Sequence, residues 1–277
     1  MLQTIFYGLT IGGILYIISI GLSLTFGAMG IVNFSHGLIY AIGAYTIYAV
    51  MAKMGINFIL GAVIAVLVSI PFSYIIEKYV IRRLYGESID YAIIATYAVL
   101  LIGVDAIKWI WGASPLPISD PVGISIQFLT MEMPLYRLII IGLTLLILIG
   151  LSLFFKKTII GKIIIAGLGD REAVRGLGIR LDKYFAIIFI LGSALAALGG
   201  VLYSPISTLH PYMGFHILIL CFAVVIVGGM GNLRGTAIAA FSLGLVMAIT
   251  GRIWGPAAEA MVYVVMAFVL MIRPIET

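Results

Sequence analysis

The chain holds 277 residues, 63% of them hydrophobic and only 10% charged, whereas a soluble domain carries about 25% charged residues; a soluble globular fold is excluded. Its formal charge of +5 does not point to nucleic acid, because ten of the sixteen cations lie in two segments, 77–90 and 156–183, and membrane topology explains such clustering. Cys221 is the single cysteine, which excludes an internal disulfide and a cysteine metal cluster.

The first residues, Met-Leu-Gln-Thr, lack the basic region of a signal peptide, and no small-residue cleavage site follows. The first apolar run is therefore read as a retained helix. Because ~20 residues at about 1.5 Å each cross a bilayer, spans are expected at 5–26, 29–51, 58–76, 91–111, 137–155, 184–203, 213–227, 236–250 and 253–272. The fold class that follows is all-α. It is a polytopic transmembrane helical bundle with broken helices, about eight to ten spans in all, forming one domain over 1–277.

The second span is short. Leu38 to Met51 is fourteen residues, about 21 Å of helix against ~30 Å of hydrocarbon. Its helix must start upstream, which draws Asn33, Phe34, Ser35, His36 and Gly37 towards membrane depth. Buried polar groups without partners cost roughly 2–7 kcal/mol each, so Asn33, Ser35 and His36 either line a translocation path or bond neighbouring helices and fix packing. His36 is not read as a metal ligand, since no carboxylate sits at ligand spacing.

Loop charge sets orientation. Lys78, Arg82 and Arg83 place 77–90 on the cytoplasmic side. Asp105 and Lys108, three apart, are placed to pair near the outer surface. The connection 112–136 has no cation and contains Pro115, Pro117, Pro121 and Pro134, so it belongs outside. The segment 156–184 carries Lys156, Lys157, Lys162, Arg171, Arg175, Arg180 and Lys183 and faces the cytoplasm. Within it, Asp170 is placed to cap a short helix over 171–177, and Gly176 and Gly178 permit a stop. Glu172 beside Arg171 and Arg175, with Ala173 between, gives an amphiphilic tip suited to a soluble partner.

Gly192 to Gly200 reads as close helix packing. His210, between Pro205 and Pro211, reads as an external loop residue. Thr236 to Ile249 is again fourteen residues, preceded by a glycine run containing Gly228, Gly229, Gly231 and Gly235. Gly27, Met29, Gly30 and Gly43 recur 201 positions on as Gly228, Met230, Gly231 and Gly244. Glycine-interrupted segments at matching places in two halves point to a transport site. Glu259 follows Pro256 as a polar helix start or a cavity-facing acid. Arg273 places the C-terminus inside, and nine spans place the N-terminus outside. No Gly-x-x-x-x-Gly-Lys-Ser/Thr loop occurs, so this chain is not expected to hydrolyse ATP, and neither catalytic nor metal-ligating residues are assigned.

Three stretches together resemble the branched-chain amino-acid ABC transporter permeases of the LivH type. They are Ile31 to Tyr45, with Asn-Phe-Ser-His-Gly at its centre; Gly161-Lys162 with Asp170 to Ile179; and Val227 to Gly235. The resemblance implies an ATP-driven importer in a prokaryotic cytoplasmic (inner) membrane. It would comprise this chain, a second and homologous permease, two cytoplasmic ATPase subunits and an extracytoplasmic substrate-binding protein, the ATP being used by the ATPases and no cofactor being bound here. It also implies a pathway at Asn33, Phe34, Ser35, His36 and Gly37, ATPase coupling through Asp170, Arg171, Glu172, Ala173, Arg175 and Gly178, and helix breaks at Gly228, Gly229, Gly231 and Gly235. Related importers carry urea, amides or simple sugars; an ion-driven carrier is the reading from a different class.

Overall fold

The computed structural model describes residues 1–128 and 131–272; Arg273 lies outside them. The helix α1 (Leu2–Met29) is apolar all round and proline-free, and a helix of that kind is buried. Its 28 residues reach about 42 Å. It stops where Gly30 turns left-handed at φ 70°, its N–H donated to the Phe26 carbonyl, a glycine cap. The helix α2 (Ser35–Met54) begins only after four further non-helical residues. The expected helix from 29 is thereby corrected: the glycine stop separates two helices that apolarity alone runs together.

Asn57 accepts the Leu60 N–H at 2.9 Å and opens α3 (Phe58–Tyr79), which a 3-10 turn at Ile81–Leu84 extends. The helix α4 (Ile89–Trp111) follows. The strands β1 (Ser125–Phe128) and β2 (Met131–Pro134) form an antiparallel hairpin inside what the sequence reading left irregular. Next comes α5 (Leu135–Lys157), and then a departure from expectation. The basic segment holds a helix beyond the short one expected over 171–177: Thr158 accepts the Gly161 N–H and starts α6 (Ile159–Gly169), followed by the expected α7 (Arg171–Gly176) and α8 (Leu181–Tyr203).

The remaining helices are α9 (Met213–Gly228), α10 (Leu233–Ile253) and α11 (Ala258–Ile272). Asn232 caps α10 by accepting the Gly235 N–H at 3.0 Å. That start gives α10 21 residues, so the predicted shortfall at 236–250 disappears. The predicted span 253–272 is interrupted at Trp254 and re-forms through a 3-10 turn, Gly255–Ala257. Among the described residues, eight helices are long and apolar enough to cross a membrane. The α9 segment, at 16 residues, spans about 24 Å.

The first helix is the centre of the bundle, packed on α8 and α10 along its length and on α5 and α9. Lipid supplies no hydrophobic drive between helices, so close backbone approach of small residues does the work. A Cβ on Gly21 would lie 2.6 Å from the Gly192 carbonyl oxygen of α8. Gly37 meets Gly214 of α9, and Gly43 meets Ala197 of α8.

Candidate translocation site

Two interruptions of helix meet on α1. The first, at 30–34, is held by side chains. The Phe34 N–H donates to the Thr96 hydroxyl of α4 at 3.0 Å, and that hydroxyl lies 2.7 Å from the Ala92 carbonyl and 3.1 Å from that of Val32. Ser35 donates to the Asn33 amide oxygen at 2.5 Å. His36 Nε2 lies 2.9 Å from the Ile18 carbonyl of α1; a carbonyl only accepts, so Nε2 carries the proton. Asn33, Ser35 and His36 are buried, while Asn33 Nδ2 and His36 Nδ1 find no partner among the described residues.

The second interruption joins α9 to α10. Gly229 and Gly231 sit at φ 84° and 76°, a region open to glycine without steric penalty. Gly228 and Gly235 lie in backbone contact across the turn. The Gly231 N–H donates to Ser23 of α1 at 3.1 Å, and the Thr236 hydroxyl lies 3.0 Å from the same oxygen. Thus Ile18 anchors one break and Ser23 the other, about 1.4 turns apart on α1.

Between the breaks lies a cavity of about 390 Å³ whose lining, including Leu22, Val32, Phe34, Phe222 and Met230, is wholly apolar. Phe34 is the member of the five expected pathway residues that reaches it. Its ring centroid is 5.7 Å from Tyr97, edge-on, and 5.2 Å from Phe222. Ser35, His36 and Gly37 instead turn to their neighbours in the break, α1 and α9. Met230 entered the sequence reading only as a member of the offset repeat, and Phe222 and Ser23 are not singled out there; a phenylalanine and a serine on apolar helices carry no local signal.

On the basic side of the bundle, Asp170 accepts the Ala173 N–H at 2.9 Å and caps α7. The helix ends at Gly176, one residue before the expected end, and Gly178 is left-handed at φ 77°. Glu172, Ala173 and Arg175 are exposed, and Val174 is buried against the bundle. Arg171 turns inward. Its guanidinium donates long hydrogen bonds, 3.4 Å each, to the Gly27 and Met29 carbonyls at the end of α1, where a cation complements the helix dipole. Burial, and then the Arg175 charge, lower its pKa, yet a guanidinium remains protonated. Beyond the cap, Leu177 is 78% exposed. At the opposite end Lys108 pairs with Asp105 at 3.0 Å, and Glu259 lies exposed in the first turn of α11.

Residues 4–273 match the family model described as the branched-chain amino acid transport system, permease component. The chain belongs to that permease family. It resembles the high-affinity branched-chain amino acid transport system permease protein BraD of Pseudomonas aeruginosa, at 28% identity over 99% of this chain and 94% of the relative. LivH of Escherichia coli K12 is 26% identical over 99% and 94%, and a probable LivH of Methanocaldococcus jannaschii is 27% identical over 84% and 75%. Among solved structures, PsaBC from Streptococcus pneumoniae in complex with Fab matches with TM-score 0.52 and 15% identity over 96% of this chain and 89% of that one; that likeness concerns the fold alone. This permease is a multi-pass membrane protein and a transport subunit, not an enzyme.

Proposed function

We propose that this permease imports branched-chain amino acids across a prokaryotic cytoplasmic membrane, with ATP hydrolysed by two separate cytoplasmic ATPase subunits. A second permease chain completes the pore, and an extracytoplasmic binding protein delivers the substrate. The observation that carries this reading is the wholly apolar cavity shared by the two breaks. It suits the aliphatic side chains of leucine, isoleucine or valine. Urea, small amides and sugars offer no aliphatic side chain to fill such a lining, whereas the ammonium and carboxylate of an amino acid need partners outside it.

In this reading Phe34 gates the path, and Asn33, Ser35, His36 and Gly37 hold the break that positions it. The ATPase grips the outer face of α7 at Glu172, Ala173 and Arg175. Its movement passes through Arg171 to the end of α1, and from α1 to both breaks, because Ile18 and Ser23 hold them there. Asp170 and Gly178 fix the ends of the handle.

The test is uptake by the whole importer in proteoliposomes, with ATP on the ATPase side and binding protein on the other. Labelled leucine should accumulate only with ATP, and unlabelled isoleucine and valine should compete while urea, acetamide and ribose should not. Accumulation driven by an ion gradient without ATP would overturn the reading in favour of a secondary carrier.

A further inference from the structure

On the flank away from the two breaks, α3 and α4 stand apart over a floor formed by α2. The gap is a cavity of about 480 Å³ lined by Leu38 and Ile42 of α2, Val68 and Phe72 of α3, and Ile107 and Ile110 of α4, among others. Its rim is apolar and open to the bundle's periphery: Phe72, Ile75, Ile102 and Ile110 are all exposed. A volume in this range suits a small ligand, and an exposed apolar rim on a membrane protein meets lipid.

Two polar groups in its lining have no partner. Tyr45, 1% exposed, and Trp111 both contribute to the wall. Their rings are 5.1 Å apart, centroid to centroid. Neither the Tyr45 hydroxyl nor the Trp111 Nε1–H finds a hydrogen-bond partner among the described residues, although both atoms are buried. An indole N–H can only donate, and buried Tyr and Trp polar atoms ordinarily have partners. Two orphaned donors at one end of an apolar crevice call for an acceptor supplied from outside the chain.

Their depth identifies it. Trp111 ends α4, and Ala44, next to Tyr45, packs on Gly200 near the final turn of α8. Both donors therefore lie at the end of the bundle remote from the basic segment, the level at which Tyr and Trp meet the membrane–water interface. From there the crevice runs between α3 and α4 towards the other end of the bundle, to Leu38 and Ile76. An acceptor at the interface joined to an apolar tail below it describes an ester-linked acyl chain.

We propose that the α2–α3–α4 crevice is a binding site for one phospholipid of the outer leaflet. Its acyl chain fills the crevice and its glycerol-ester carbonyl accepts from Tyr45 and Trp111. The site is independent of the substrate reading above, since it shares no residue with the cavity between the breaks.

The test uses the assembled importer in bilayers of diether phosphatidylethanolamine, which offers no ester carbonyl, with a rising fraction of ester-linked phosphatidylethanolamine brominated on one acyl chain, because bromine quenches indole fluorescence at short range. The chain has three tryptophans. Replacing Trp109 and Trp254 with Phe leaves Trp111 as reporter; replacing Trp111 and Trp254 leaves Trp109, 89% exposed, as a reporter of bulk lipid. Trp111 should reach half-quenching at a brominated fraction about tenfold lower than Trp109, the preference expected of one net hydrogen bond or slightly more. Ala106→Phe, at an exposed residue of the crevice wall, should erase the difference. Coincident curves would mean ordinary annular lipid, and an unquenched Trp111 would mean that the second permease chain covers the crevice; either overturns the proposal. Native mass spectrometry of the unmodified assembly avoids the Trp replacements. One phospholipid should persist per copy, and Tyr45→Phe should reduce its retention several-fold; no retained lipid also overturns it.

Discussion

Arg171 and Arg175 sit four positions apart on one short helix but differ in what they touch. Arg175 is exposed, whereas Arg171 reaches the carbonyls that end α1. Their substitutions should therefore separate. Glu172→Ala or Arg175→Ala is expected to weaken copurification of the ATPase from native membranes. Arg171→Ala is expected to leave that association near normal and to lower leucine uptake several-fold, since a cation at a helix C-terminus is worth ~0.3–2 kcal/mol. Equal loss of ATPase association in Arg171→Ala would break the link drawn here between α7 and α1. A second residue-scale prediction concerns Glu77, whose side chain is fully buried and accepts from Arg82 Nη2 at 2.8 Å, from Arg82 Nε at 3.1 Å and from the Tyr85 hydroxyl at 3.2 Å. Arg82→Ala leaves the buried carboxylate with the Tyr85 hydroxyl alone, at a cost of ~1–3 kcal/mol; the half-exposed guanidinium keeps the figure towards the lower end. Its thermal midpoint should fall below that of Arg83→Ala, a neighbour with no ion pair among the described residues.

At the scale of elements, α1 is the part that everything else needs. Ser23→Ala would leave the Gly231 N–H and the Thr236 hydroxyl without their α1 partner, again ~1–3 kcal/mol. The loss should appear as lower uptake and faster proteolysis at the α9–α10 turn, with α7 still binding the ATPase. Gly21→Leu should do worse, because backbone on α8 occupies the space of its Cβ; a fall in yield of folded protein measures it. How far these elements were legible follows from the same chemistry. Apolar length located every crossing helix, and Asp170 announced the start of α7 because its side chain acts within three residues. The start of α10 was misplaced because the glycine run up to Gly235 reads as a break, whereas the Asn232 cap admits Leu233 to Gly235 into the first turn. The helix α6 was hidden behind Lys156, Lys157 and Lys162, although Thr158 capped it. Four prolines masked the hairpin in 112–136. At the site, glycines and a polar cluster marked both breaks, but the cavity wall was invisible, since Phe34 meets Phe222 only through the fold.

Across the whole molecule, charge and geometry agree on which way the permease faces. Lys78, Arg82, Arg83, Arg234 and the seven cations of 156–183 lie at the end that holds α7. Lys53, Lys108 and Arg252 close helices at the other end, and Arg137 stands there in the first turn of α5. The N-terminus belongs to that second end: Arg252 donates to Thr4 at 3.2 Å, and Arg137 lies over the Tyr7 ring at 4.3 Å. The positive-inside bias then puts α7 in the cytoplasm, and the whole coupling scheme depends on it. Cysteine labelling in intact cells tests this directly, because Cys221 is buried and contributes little background. Ser119→Cys, exposed beside the hairpin, should react with a membrane-impermeant maleimide added outside, whereas Leu177→Cys, equally exposed after α7, should react only after the membrane is opened. Reaction of Leu177→Cys from outside would reverse the molecule. An ATPase could not then reach α7, and the contact between Arg171 and α1 would have no motor to transmit.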